Sequence, residues 1–550
     1  MWLAPEHRTS APAPPVARFG QGVQLLASGG SPAQSLPLVS HDGLAGTLLA
    51  DYATYYTGVA QLRLGQHAEA RRHFASLRER APAGYLSEAA LMREAETADA
   101  QSDFQTSFEL YSQLARLETA SPDSVLFRLS QAALRIGQTD RAVEAMHRAY
   151  FEHPLSDIAG EAAAELRKLR GPEALTQPFD AALERAQQLF AARRYPEARS
   201  GFESLRPLAS GDSREIVDLR IAQCDYYLGR HRAAADALRR HLDEASRRAE
   251  AAFFYLNAIR GLGRTDEYVA RSRRIAEEFS DSSWAEDALN NLASHYIRAN
   301  DDGAADEVFR EMYRKFPKGA RAERAAWKIG WWAYKNGRYA DAARTFEGAA
   351  ASFPRADFRP AFLYWAARSH ERLRAPDVAR ERFTLVVTDY RDSYYGRLAQ
   401  RALRDRHRSA RAADESLPPS ELTAVATSGS AGAPPLGPGA LPPTASLIRV
   451  LLSSGLYDEA VNELQYAQRV WGDSPAIQAT LAWIYNRTGD LRRGINTMKR
   501  AYPQYLSAAD ELPIEIRQVI FPLEYWDQIK KHSAHHGLDP YLIAALIAQE

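Results

Sequence analysis

Apolar positions recur three and four residues apart along most of the chain, with polar residues filling the opposite face, the period of an amphipathic helix. In "YYTGVAQLRLGQHAEARRHFASLRERAP", Gly65 is followed by Ala70, Phe74, Leu77 and Pro82. In "LSQAALRIGQTDRAVEAMHRAYFEHP", Gly137 is followed by Ala142, Met146, Ala149 and Pro154. In "IGWWAYKNGRYADAARTFEGAAASFP", Gly337 is followed by Ala342, Phe346, Ala349 and Pro354. The offsets of five, four, three and five residues are the same each time. Each position has a physical role. Glycine ends one helix and permits the turn. The small alanine lets the second helix approach the first. The aromatic or methionine and the next apolar residue share one face, and proline stops the second helix. The predicted unit is a helical hairpin.

Weaker copies fill the gaps, around Phe104, Ser107 and Tyr111, around Tyr195, Ala198 and Phe202, and in "LGRHRAAADAL", "GRTDEYVARSRRI" and "DDGAADEVFREMYRKFP". Several copies in register predict an α-solenoid. The offsets resemble the tetratricopeptide repeat, and no strand pattern interrupts them. From Ser416, "SLPPSELTAVATSGSAGAPPLGPGALPP" lacks a periodic apolar face and reads as a linker or large loop. Helical signals then resume, with Gly455 before Ala460 and Gly489 before Gly494, again five positions apart. The predicted division is a poorly structured segment over 1–45, a helical superhelix over 46–411, a linker over 412–445, further repeats over 446–515 and a separate terminal module over 516–550.

Composition narrows the functional classes. With 550 residues the chain is too long for one ordinary core, which fits an array. A formal net charge of +0 argues against a basic surface dominating nucleic-acid binding. The one cysteine, Cys224, excludes an intramolecular disulfide and a cysteine-rich metal site, and its helical surroundings predict a buried structural thiol. No apolar run approaches the roughly 20 residues that cross a bilayer, and the first residues do not read as a signal peptide. The expectation is a cytoplasmic protein or a true N-terminus lying upstream. Trp327, Trp331 and Tyr334 have core spacing between stacked helices, with Trp332 the expected exposed neighbour; Tyr364, Trp365, Tyr394 and Tyr395 add to the aromatic content. His532, His535 and His536 lack an HExxH or cysteine partner, so a polar helix end is expected there rather than a metal site.

The last residues read differently. Gly537 suits a helix stop, Asp539 an N-cap and Pro540 the first helical position. With Ile543 at zero on a helical wheel, Leu546 falls at about −60°, Ile547 at about +40° and Glu550 at about −20°. Glu550 thus shares an apolar stripe expected to face a core or cleft. Partial desolvation there raises a carboxyl pKa and suits a general acid.

The terminal segment "FPLEYWDQIKKHSAHHGLDPYLIAALIAQE" resembles the start of the catalytic domain of soluble lytic transglycosylases, the Slt-type murein hydrolases. "ERAAWKIGWWAYKNGRYADAARTFEGAAASFP", "AFLYWAARSHERL" and "YYGRLAQ" are similar to that family's superhelical domain. The resemblance implies an all-α superhelix followed by the start of a lysozyme-like catalytic domain. It implies that Glu550 is the single catalytic acid/base. Glu550 would protonate the glycosidic oxygen between N-acetylmuramic acid and N-acetylglucosamine. As base it would then take the proton of the muramoyl C6 hydroxyl, which attacks the anomeric carbon and gives a 1,6-anhydro product. An internal hydroxyl replaces water, so one carboxylate serves both steps, unlike the paired carboxylates of ordinary glycosidases. The resemblance implies peptidoglycan glycan strands as partner, no cofactor or metal, and a periplasmic or cell-envelope location. The family's following serine and Gly-Leu-Met-Gln segment do not appear, so the expectation is a truncated catalytic module, inactive in this form and active in the complete protein. The alternative is a non-enzymatic tetratricopeptide scaffold binding proteins or peptides, which accounts for the array but not for the terminal motif.

Overall fold

The computed structural model describes residues 13–40, 42–171, 175, 178–243, 246–354, 356–391, 393–411, 441–506 and 512–549. Regular structure among them is helical throughout, with no strand, arranged as hairpins that stack on their chain neighbours. Each hairpin turns on one residue in the left-handed region: Gly65 at φ 77°, Gly137 at 75° and Gly337 at 72°. The turn is closed by a long backbone bond at 2.9 Å, from Gln66 N to Gln61 O, from Gln138 N to Ala133 O and from Arg338 N to Ala333 O. Ser102, Arg193, Asn300 and Arg374 take the same backbone conformation without being glycine. Gly229, Gly263, Asn300, Gly337 and Arg374 succeed one another at intervals of 34 or 37 residues. Three of the weak copies, at Ser102, Arg193 and Asn300, therefore keep the turn while losing its glycine.

Packing follows the predicted roles. Ala70, Ala142, Ala342, Phe74 and Phe346 are fully buried, and Met146 nearly so. A methyl group on Gly330 would stand 2.4 Å from the Phe346 ring, and one on Gly58 would stand 2.8 Å from Phe74. The ring of the second helix thus fills the space a side chain on the first would need. A second device links successive hairpins. The carboxylate of Glu286 accepts from Ala320 N at 3.0 Å and Arg321 N at 2.7 Å, and Glu215 accepts from Ser246 N at 3.1 Å and Arg247 N at 2.7 Å. Glu88 accepts from Ala120 N at 2.8 Å. Each satisfies orphan amides where the next hairpin begins and places negative charge at its positive end. All three lie 14 residues before the turn residue of their own hairpin: Ser102, Gly229 and Asn300.

The chain divides into two compact units. One comprises Met1–Thr176, Ala424–Tyr505 and Ala509–Glu550, and the other Gln177–Thr423 with Leu506–Ala508. In the second unit the hairpins follow one another along the chain. Its Cys224 is fully buried, and burial, helped by the Asp225 charge, pushes the thiol up to about 12, in keeping with a structural residue. The first unit is assembled from distant parts of the sequence. Phe19, Val23 and Leu26 share one core with Phe74 and with Ile448, Leu451, Leu452 and Leu464.

Two expectations are corrected here. The stretch before the first repeat is not poorly structured from residue 14 onward: Pro14–Ala27 and Pro32–Val39 are helices, each with proline in its first turn. Their apolar faces were unreadable as such because part of what they pack on lies more than 400 residues later. The division at 515/516 also fails. It cuts the helix Ile514–Ile520, whose Ile516, Val519 and Ile520 pack with Ala479, Ala482 and Met498 of the last repeat. Most of the linker, 412–440, lies outside the described residues, and the next helix is Ala445–Ser453.

Candidate functional site

The terminal motif folds as two helices, Trp526–His536 and Pro540–Gln549. Gly537 takes φ 64° and ends the first, with Leu538 N donating to Ser533 O at 2.9 Å. Asp539 Oδ1 accepts from Tyr541 N at 2.8 Å, the N-cap expected of it. The Trp526 and Tyr541 rings lie 5.0 Å apart, and Ile529, Ser533 and Ala544 are buried.

Glu550 lies outside the described residues. Of its companions on the stripe, Ile543 is half-buried, while Leu546 and Ile547 are 50% and 56% exposed. The expectation that this stripe faces a core or cleft is therefore not met among the described residues. His532, His535 and His536 stand exposed in the last part of their helix, and no three His, Cys, Asp or Glu side chains converge as a metal site among the described residues.

In the second unit the aromatic residues form a ladder. Trp327 and Trp331 stack at 6.0 Å, Trp331 and Tyr334 at 6.1 Å, and Trp365 sits edge-on to both Trp331 and Tyr334 at 4.7 and 4.9 Å. Tyr364 and Tyr395 continue it at 5.4 Å. These rings join the helices Ala322–Lys335, Arg359–Arg372 and Tyr394–Arg411, but Trp327, Trp331 and Tyr334 are half-buried and pack on the margin of the core rather than inside it. Trp332 is half-buried rather than exposed, and the Lys335 ammonium lies over it at 5.7 Å. The ladder keeps an open edge at Phe358 and Tyr394, 37% and 64% exposed.

A cluster the sequence reading missed lies in the first unit. Glu459 and Glu463 project from the helix Tyr457–Val470 toward the helix Ala50–Arg63. The Tyr52 hydroxyl donates to Glu463 Oε1 at 2.8 Å, Tyr85 N donates to Glu463 Oε2 at 3.1 Å, and the Tyr56 hydroxyl donates to Glu459. Burial raises both carboxyls, Glu463 to about 7, against the opposing pull of these donors. Burial likewise holds the Tyr52 and Tyr56 phenols well above their ordinary value. The signal was present: two glutamates four apart, interleaved with the core residues Ala460, Leu464 and Ala467, facing two tyrosines also four apart. Their partner could not be guessed from local pattern.

Residues 52–83 and 328–393 match family models described as tetratricopeptide repeat. A comparison with curated proteins finds no match. Among solved structures, the complex of the 70-kDa soluble lytic transglycosylase with bulgecin A is 14% identical, with 98% of this chain and 76% of that one covered and a TM-score of 0.48. The 70-kDa soluble lytic transglycosylase of Escherichia coli is 14% identical over 95% of this chain and 74% of that one, with a TM-score of 0.47. The tetratricopeptide domain of P58(IPK) is 17% identical over 65% of this chain and 99% of that one, with a TM-score of 0.20. The protein is an all-α array of helical hairpins in which residues 52–83 and 328–393 are tetratricopeptide repeats.

Proposed function

We propose that this chain belongs to a peptidoglycan lytic transglycosylase, in which the solenoid carries a catalytic module entered through residues 521–550. The substrate is the β-1,4 bond between N-acetylmuramic acid and N-acetylglucosamine, and the product a 1,6-anhydromuramoyl end. Glu550 is the acid that protonates the leaving oxygen and the base that accepts the C6 hydroxyl proton. No cofactor or metal takes part. The location is the periplasm or cell envelope, and no helix among the described residues is long and apolar enough to cross a membrane.

The observation that carries this reading is the terminal turn. Gly537 in the left-handed region, the Asp539 cap and Pro540 at the helix start aim one short helix, with Glu550 directly after it. The open faces of Leu546 and Ile547 suit a helix that further structure covers, and that cover is what would desolvate the acid. The test is digestion of purified sacculi by the gene product that carries these residues. Wild type releases anhydromuropeptides, and Glu550→Gln lowers the rate by about 10²–10⁴-fold, the usual worth of a positioned acid/base. A variant that cuts as fast as wild type overturns the assignment.

A second reading, a tetratricopeptide scaffold for proteins or peptides, is favoured by the open edge of the aromatic ladder at Phe358 and Tyr394. It expects no anhydromuropeptide release at all.

A further inference from the structure

We infer that Glu463 is a proton-controlled clasp that holds the helices after the linker against the first helices of the chain. Glu463 is fully buried, and among the described residues no lysine or arginine pairs with it. From the helix Ala50–Arg63 it meets Tyr52, with Tyr56 beside Glu459 one turn away. At the start of the helix Tyr85–Ala100 it receives the Tyr85 amide, and the acidic Glu88 of that helix is held by Arg469 at 2.8 Å. From its own helix the charged residues are the exposed Asp458, which adds to the raised Glu459, Glu459 itself and that same Arg469. The helix Ala445–Ser453 carries one charged residue, the exposed Arg449, with the uncharged Thr444 just before it. The packed helix Pro475–Arg487 carries Tyr485 and Arg487, whose guanidinium donates to the Tyr457 hydroxyl at 3.1 Å.

The fit is close. Gly84, at φ 97°, would place a methyl 2.2 Å from Glu463 Oε2 and 3.0 Å from the Thr444 methyl carbon. Thr444 and Glu463 therefore meet on one small patch of backbone. The Thr444 hydroxyl oxygen is buried and has no hydrogen-bond partner among the described residues. A hydroxyl donates as well as accepts, so Thr444 does not by itself favour either protonation state of Glu463. An ionised Glu463 buries a charge with no cation, held by the Tyr52 hydroxyl and the Tyr85 amide.

The direction of the pH effect follows. Glu463 has its carboxyl raised from the ordinary 4.5 to about 7, chiefly by burial. A group raised in the closed form favours closure fully below the open-state value and loses that contribution as pH climbs to the closed-state value. The contact is thus tightest below about 4.5, weakens by about tenfold per pH unit for one proton, and levels off above about 7. Glu459, raised in the same sense, steepens the slope.

Hydrogen exchange of the whole chain at pH 5, 6, 7 and 8, corrected for intrinsic exchange rates, reads the opening directly. Protection of amides in Tyr457–Val470 and Tyr85–Ala100 is expected to fall about tenfold per pH unit from 5 to 7 and to flatten by 8, while amides of Tyr339–Ser352 in the other unit stay level. Glu463→Gln keeps the shape without a titrating proton, and should abolish most of the slope. Tyr52→Phe removes a donor that stabilises the ionised form, so the flat region should begin at higher pH. Level protection in wild type overturns the clasp, as does an unchanged slope in Glu463→Gln. If Glu463→Gln does not fold, an unmoved flat region in Tyr52→Phe overturns it instead.

Discussion

Arg374 holds the backbone conformation that glycine takes at Gly65, Gly137 and Gly337, at φ 59°. A side chain there costs roughly 1–2 kcal/mol against the following carbonyl, partly offset because glycine loses more freedom on folding. Arg374→Gly is expected to stabilise the second unit by up to about 1 kcal/mol, read as a higher urea midpoint. Gly330→Ala works the other way. Its methyl would meet the fully buried Phe346 ring, and the same measurement should show a loss of about 1–3 kcal/mol. A rise in stability on Gly330→Ala would contradict the close approach described here. At this scale the sequence was highly informative, because the roles of Gly65, Ala70 and Phe74 depend on residues within one hairpin. It was silent on Ser102, Arg193, Asn300 and Arg374, where the turn persists but the glycine that announces it does not.

Single helices were legible when their partner was their chain neighbour. The helices Pro14–Ala27 and Pro32–Val39 were not, because Val23 and Leu26 belong to a core completed by Ile448, Leu451 and Leu452. The same distance hid Glu459 and Glu463, whose hydroxyl donors Tyr52 and Tyr56 come from the first repeat. The dependence can be tested with Val23→Asp, which places an unpaired charge at a position 2% exposed. A cost of roughly 3 kcal/mol or more is expected, and hydrogen exchange should show the helix Ala445–Ser453 losing protection with the first helix. Unchanged protection of Ala445–Ser453 would mean the two segments do not share a core. The terminal helices were read correctly in their turn, through Gly537, Asp539 and Pro540. Their apolar stripe is half open, since Leu546 and Ile547 have no cover among the described residues.

For the whole molecule, a neutral chain of hairpins gives shape and contact surface, while the proposed chemistry is concentrated at Glu550. The solenoid was legible because repetition multiplies a weak local signal. The chemistry rests on one short motif and is open to a sharper test than loss of rate. If an internal hydroxyl replaces water at the anomeric carbon, solvent oxygen never enters the product. Sacculi digested in ¹⁸O-water by the gene product carrying these residues, with released muropeptides weighed by mass spectrometry, decide the matter. The account predicts anhydromuramoyl ends free of ¹⁸O; reducing ends carrying ¹⁸O, or no released muropeptide at all, would contradict it.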